Sequence, residues 1–300
     1  MNIVNYMEEP NNFRSGFVTI MGKPNVGKST LMNQLTGEKL SITSKRAQTT
    51  RHRIFGIITS DDYQIVYSDT PGTLEPHYKL QEKMMNFVKA SLDDADMILY
   101  MVELGEKNDN PDWLKLAKAS GVPILFVINK IDLAKGSQVV DKIQYWKEQI
   151  PDFEPILVSA LTGEGAIDLQ NKIVALLPNH PAYFPGGELT DKSERFITSE
   201  IIREKIFLLY KQEVPYSSEV VVHEFKEEEK IIRIMADIYV ERDSQKGIII
   251  GKNGEAIKQL GIAARVDLED FFQKHIHLDT RVKVEKDWRK DIKKLSRFGY

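Results

Sequence analysis

The chain has 300 residues, a net charge of -3, 42% hydrophobic and 28% charged residues. That is the balance of a soluble globular protein long enough for two domains. It has no cysteine, which excludes disulfides, zinc–thiolate sites and thiol nucleophiles. The net charge argues against a general affinity for nucleic acid, so any such surface must be a local patch.

The first residues, MNIVNYMEEPNN, have neither a basic nor an apolar leader region. They read as an N-terminal extension (1–13) rather than a signal peptide. From 14 to 178 apolar strand-length runs alternate with amphipathic stretches. Strands are predicted at 17–21, 53–59, 63–68, 97–102, 123–128 and 155–159, and helices at 28–36, 78–93, 111–119, 138–149 and 165–177. Near-continuous apolar strands separated by helices imply an α/β domain, a mostly parallel sheet covered on both faces. Its ligands bind at the carboxyl ends of the strands. The longest apolar runs, ILFVI and MILYMV, fall far below the roughly 20 residues of a membrane span. The expectation is a cytoplasmic protein.

The phosphate chemistry is concentrated in three places. GKPNVGKST follows the first strand and opens a helix, the context a P-loop demands. Gly22, Lys23, Pro24, Asn25, Val26 and Gly27 turn backbone N–H groups toward phosphate oxygens. Lys28 reaches the β- and γ-phosphates, Ser29 offers a hydroxyl to Mg²⁺, and Thr30 continues into the helix. DTPG then ends the 63–68 strand. Asp69 holds the metal through a water, Thr70 and Pro71 shape the turn, and the Gly72 N–H meets the γ-phosphate. Finally NKID follows the 123–128 strand and SAL the next. The Asp132 carboxylate accepts from guanine N1–H and the 2-amino group together, which adenine cannot offer. The Lys130 stem covers the base, Asn129 braces the loop, and Ser159, Ala160 and Leu161 bring the Ala160 N–H to guanine O6. Between P-loop and DTPG, Gln48, Thr49, Thr50, Arg51 and His52 form a polar switch segment. Thr50, with Thr49 as the alternative, completes the metal shell while the γ-phosphate is present.

Beyond LLPNHPAYFPGGELTDKS the pattern changes. The prolines and glycines read as a linker (179–192), followed by a separate α+β module at 193–300. It contains a helix, two strands, an apolar strand-or-helix segment KGIII, GKNG, a helix, a strand and a basic terminal helix. The G-x-x-G loop, Gly251, Lys252, Asn253 and Gly254, lets backbone approach a nucleic-acid backbone, flanked by Ile249, Ile250 and Lys258. This is the logic of a KH loop clamping single-stranded RNA. Over 287–298, Trp288, Ile292 and Leu295 form an apolar stripe at helical spacing, with lysines and arginines around it. Residues 281–297 hold eight Lys/Arg against three Asp/Glu, a face suited to RNA phosphates or an anionic membrane surface.

Together GKPNVGKSTLMNQL, SITSKRAQTTRHR, YSDTPG, INKID, VSAL and SEIIREK…GIIIGKNGEAIKQLGIAAR resemble the Era family. These are bacterial GTPases with a G domain followed by a type II KH domain. The resemblance spans about 14–300. It implies GTP and Mg²⁺ as ligands, binding of 16S ribosomal RNA near its 3′ end, and a role in 30S subunit assembly. It also implies a cytoplasmic monomer with loose peripheral membrane contact. Two positions depart from the family pattern. Thr73 replaces a hydrophobic residue after DTPG, and Leu161 replaces an acid. No glutamine stands ready for the attacking water, and Asn25 in the GxPNxGKS loop suggests a bound K⁺ at the place of an arginine finger's charge. Catalysis is therefore assigned to Asn25, Lys28, Thr50 and Gly72. Thr73 either caps the following turn or touches the water. A metabolic phosphotransferase and a constitutive RNA chaperone with a vestigial nucleotide site are the competing readings.

Overall fold

The computed structural model describes residues 12–44, 46–107 and 112–300; the expected extension at 1–13 lies almost entirely outside them. The first part alternates β1 (Arg14–Met21), α1 (Lys28–Thr36), β2 (Ile54–Thr59), β3 (Tyr63–Asp69), α2 (Lys79–Asp93) and β4 (Met97–Glu103). It continues with α3 (Asp112–Ala119), β5 (Ile124–Asn129), α4 (Gln138–Gln149), β6 (Ile156–Leu157) and α5 (Ala166–Leu176). The strands form one sheet in the order β2-β3-β1-β4-β5-β6. Every neighbouring pair is parallel except the edge pair β2/β3. Ile98, Leu99, Met101, Phe126, Val127 and Ile128 are all buried, because a parallel sheet has no solvated face to alternate toward. Since β1, β3, β5 and β6 run the same way, the segments that follow them emerge on one edge.

By their internal contacts the residues fall into two compact units. The first comprises the chain to Glu38, Arg53–Thr70 and Val88–Asp191; the second comprises Lys39–His52, Pro71–Phe87 and Lys192–Tyr300. The switch segment and the residues after Thr70 thus share a unit with the C-terminal module. Residues 179–191, a linker by composition, are held on the first unit's sheet. Ser15 Oγ donates to the Pro181 carbonyl (2.6 Å), Gln64 Nε2 to that of Phe184 (2.8 Å), and the Ile57 amide to that of Leu189 (2.9 Å). Tyr183 packs edge-on against Phe17. The polar backbone of this Pro/Gly-rich stretch finds its partners on the sheet.

In the second unit follow α6 (Glu194–Leu209), α7 (Val214–Ser217), β7 (Glu219–Glu227), β8 (Ile231–Val240), α8 (Asp243–Ile250), α9 (Glu255–Phe272), β9 (His275–Val284) and α10 (Ile292–Arg297). The sheet order is β7-β8-β9, antiparallel at β7/β8 and parallel at β8/β9. Ile202 and Ile206 of α6 and Leu260 and Ala264 of α9 pack on Ala236 and Ile238 of β8. Ile201, Ile234, Leu268 and Ile276 extend the same core. The ambiguous KGIII segment is helical, as α8.

The C-terminal stripe differs from expectation. Asp287 has φ 54°, a left-handed conformation that breaks a continuous helix. α10 starts only at Ile292, where the Asp291 carboxylate accepts from the Lys293 and Lys294 amides. Trp288 and Leu295 are fully buried, and Trp288 Nε1 donates to the Ser217 carbonyl at 2.9 Å, but Ile292 is 57% exposed. Trp288→Ala should therefore cost about 3–5 kcal/mol of stability. Ile292→Ala should cost less than about 0.5 kcal/mol. Urea unfolding followed by circular dichroism distinguishes the two, and equal losses would restore the continuous stripe.

Candidate nucleotide site and RNA loop

The phosphate loop links β1 to α1. Gly27 caps α1 with φ 100°, and a Cβ there would meet Asn129 Nδ2 at 2.3 Å. Only glycine allows both the backbone angle and the approach. Asn25, at the exposed crest, also has a positive φ, 67°. Lys28 is 6% exposed and folds back on its loop, donating to the carbonyls of Gly22 (3.1 Å) and Lys23 (3.0 Å). Burial pushes its amine down to about 8, against the opposing pull of Asp69 and Glu106. An ammonium so poorly solvated gains strongly from an arriving phosphate oxygen. Lys23 pairs with Glu106 at 3.4 Å.

Asp69 ends β3 and is fully buried; Ser29 Oγ donates to its Oδ2 at 2.7 Å. This hydroxyl–carboxylate pair of hard oxygens beside a phosphate loop suits Mg²⁺. Thr70, buried, donates to the Ile20 carbonyl at 2.8 Å and so fixes the end of β3 against β1.

The base-reading segments are joined by one side chain. Asn129 Nδ2 donates to the Val26 carbonyl (2.7 Å), and its Oδ1 accepts from the Ala160 amide (2.9 Å). The brace expected of Asn129 thus reaches both the phosphate loop and the SAL segment. It also corrects one expectation: the Ala160 N–H intended for guanine O6 is occupied by Asn129 in this structure. Lys130 has a left-handed backbone, φ 66°, and pairs with Glu103. Ser159 Oγ donates to Asp132 Oδ1 at 2.6 Å, orienting the carboxylate. Leu161 is 75% exposed. The two glutamates, Glu103 and Glu106, escaped the sequence reading because they belong to no contiguous motif.

Pro71, Gly72 and Gln48–His52 belong to the second unit. Thr49 Oγ1 donates to the Arg46 carbonyl (2.9 Å) and contacts Ser44 Oγ (3.0 Å), while Thr50 is buried. Thr73 is buried in a run, 71–77, that contains no turn. It therefore has no turn to cap.

In the same unit, Gly251 ends α8 with φ 72°, and a Cβ there would lie 2.5 Å from that of Ala256. The close approach packs α8 onto α9 on either side of the GKNG loop. Lys252, Asn253 and Lys258 are exposed, and Ile250 is half-buried. Ile249 is fully buried in the core, contrary to its expected RNA contact, whereas Ile248 is 49% exposed. The helical period explains the exchange, since Gln245 and Ile249 face inward four residues apart. The His275/His277 pair starts β9, exposed. Among the described residues no group of three or more His, Asp or Glu could hold a metal, and no helix is long and apolar enough to cross a membrane.

Asp132 provides a direct specificity test. Asp132→Asn replaces an acceptor with a donor, so it should weaken GTP by at least about 100-fold and improve xanthosine triphosphate relative to GTP. Competition against a fluorescent nucleotide measures both, and unchanged preference would remove Asp132 from the base site.

A family model described as 50S ribosome-binding GTPase matches residues 17–130, and a KH domain model matches 213–289. GTPase Era of Syntrophus aciditrophicus is 46% identical over 292 residues, covering 96% of this chain and 95% of that protein. A crystal structure of Era with MgGDPNP and nucleotides 1506–1542 of 16S ribosomal RNA superposes with a TM-score of 0.91 at 37% identity, covering 96% of this chain and 99% of that one. A variant of Aquifex aeolicus Era bound to GDP and aluminium fluoride gives 0.92 at 37% identity, with the same coverage. With this identity across nearly the whole length, and with both motif sets in order, the chain belongs to the Era family of GTPases.

Proposed function

We propose that this chain binds and hydrolyses GTP and uses its GKNG loop to bind 16S ribosomal RNA near the 3′ end, as a switch in 30S subunit maturation. The observation that carries the reading is the Asn129 side chain. It ties the phosphate loop to the SAL segment, beside an Asp132 carboxylate aimed by Ser159, in a chain that also carries a KH module. Neither a small-molecule phosphotransferase nor a vestigial site needs that combination. In this reading the protein works in the cytoplasm as a monomer.

The chain's own groups divide the work. Loop amides and Lys28 bind the β- and γ-phosphates and draw off the charge that develops as the γ-phosphoryl separates. Ser29, Asp69 and Thr50 are the residues that would hold Mg²⁺, which would supply positive charge against the phosphates. The Gly72 amide senses the γ-phosphate. No glutamine grips the attacking water, so turnover is slow without a further positive charge. An arginine finger supplies roughly 10³–10⁵ in rate; here Asn25, at the loop crest, is the residue to recruit K⁺ in its place. The slow step is a timer: the GTP state lasts until the RNA partner is met.

Crosslinking to small-subunit RNA with a non-hydrolysable GTP analogue tests the RNA assignment. Crosslinks should cluster at the 3′ end and fall at least about tenfold when Lys252 and Asn253 are both replaced by Asp, which sets like charge against phosphate. Crosslinks elsewhere would contradict the partner while sparing the GTPase. For catalysis, hydrolysis should run about tenfold or more faster in K⁺ than in Na⁺ buffer, a difference that Asn25→Ala abolishes. Equal rates in the two salts would dismiss the cation.

A further inference from the structure

Four ionised side chains are buried together in the second unit: Arg51, Arg203, Glu200 and Glu219. Arg51 donates to Glu219 Oε2 (3.0 Å) and to the carbonyls of Ser218 (2.8 Å), Pro215 (3.1 Å) and Tyr216 (3.0 Å). Arg203 of α6 holds both oxygens of Glu200 (2.7 and 2.6 Å) and donates to the Thr49 carbonyl at 2.6 Å. The Tyr300 hydroxyl donates to Glu219 Oε2 at 2.5 Å, and its ring stacks on His52 at 4.3 Å. Burial alone would raise the Glu219 carboxyl; Arg51, Arg203 and the Tyr300 hydroxyl outweigh it and hold it below its ordinary value. Burial drives His52 down to about 4, so its ring packs on Phe87, Phe196 and Tyr300 as a neutral aromatic.

The contacts of this cluster fall on Thr49, Arg51 and His52, the residues that bracket Thr50; earlier in the segment the Thr43 amide donates to Glu204 (2.9 Å) and Arg46 to the Tyr210 carbonyl. In a GTPase whose switch is ordered only by the nucleotide, no such protein anchor is needed. We propose that Glu219, Tyr300 and Arg203 are positioning residues for GTP hydrolysis, which fix the path of residues 49–52, and so Thr50, from the RNA-binding unit. This rests on the reading of the chain as a GTPase with its switch at 48–52.

The roles separate by chemistry. Glu219 neutralises Arg51 and receives the Tyr300 hydroxyl. Tyr300 adds a ring that limits His52. Arg203 fixes a switch backbone carbonyl, which no substitution within the switch can remove. None of the three belongs to the nucleotide motifs. Loosening them should leave ground-state nucleotide binding intact and impair the step that needs Thr50 in place.

The test uses the full chain. Tyr300→Phe keeps the ring and removes only the hydroxyl. Glu219→Gln removes the charge, and Arg51→Met with Glu219→Met removes both charges so that neither is left buried alone. Steady-state and single-turnover hydrolysis are measured with affinity for fluorescent GDP and melting temperature. The expected result is a kcat lowered about threefold in Tyr300→Phe and about tenfold in Glu219→Gln and the double variant, with KM for GTP and GDP affinity within about twofold. Glu219→Asp should recover part of the loss. Unchanged or faster turnover in variants that melt like the parent would overturn the proposal. So would a parallel loss of GDP affinity, which would make the cluster a purely structural support. A parent chain that hydrolyses no GTP would instead refute the GTPase reading itself.

Discussion

A guanidinium withdrawn from water must place its five N–H donors on acceptors or cost several kcal/mol. Arg51 is 2% exposed, and this requirement organises the second unit around it. Its acceptors come from the end of α7, a helix of four residues with Pro215 near its start. The terminal carbonyls of any helix lack intrahelical partners. Here those of Pro215, Tyr216 and Ser218 are met by Arg51, and that of Ser217 by Trp288. Four successive carbonyls are thus satisfied by two side chains, one from the switch segment and one from the C-terminal stretch. Trp288 also lies beneath the Arg51 guanidinium, 5.7 Å from its centre. Burial of the tryptophan and of the cation are one event, because each completes the other's surroundings.

The first unit answers a different constraint. Parallel strands deliver their carboxyl ends to one edge, but they do not fix the loops that follow. Asn129 does so with one amide group that donates to Val26 and accepts from Ala160. An aspartate there could not donate, and a glutamine's longer stem would not fit the same two partners. The glycine at position 27 is the matching concession, since its missing Cβ is the space that Asn129 Nδ2 occupies. The phosphate loop and the base reader therefore depend on each other's residue types.

The sheet and its motifs were legible in the sequence because each is a local pattern. An apolar strand followed by glycine, lysine and serine carries its chemistry within about a turn of helix. The failures were non-local or depended on phase. Ile249 and Ile292 were misplaced because a run of apolar residues does not state which face it presents. The helix starts at Asp243 and Ile292 decide that, and they are set by Arg242 with Gln245 and by Asp291. Residues 179–191 have a linker's composition, yet Gln64 and Ser15, more than 100 positions earlier, supply their hydrogen-bond partners. The segment ITSKRAQTTRHR reads as a polar switch, and nothing in it reveals that Arg51 is matched to a glutamate 168 residues on.

The strength of that match bears on how a nucleotide signal can act. Breaking a buried ion pair by removing one partner costs about 3–5 kcal/mol. Coupling between two binding sites typically amounts to about 1–3 kcal/mol. Exchange of one nucleotide for another therefore supplies too little free energy to extract Arg51 from its pocket. Lys39 is 46% exposed, but its partner Glu204 is 3% exposed and also accepts from the Thr43 amide, so this segment too is held by a partly buried pair.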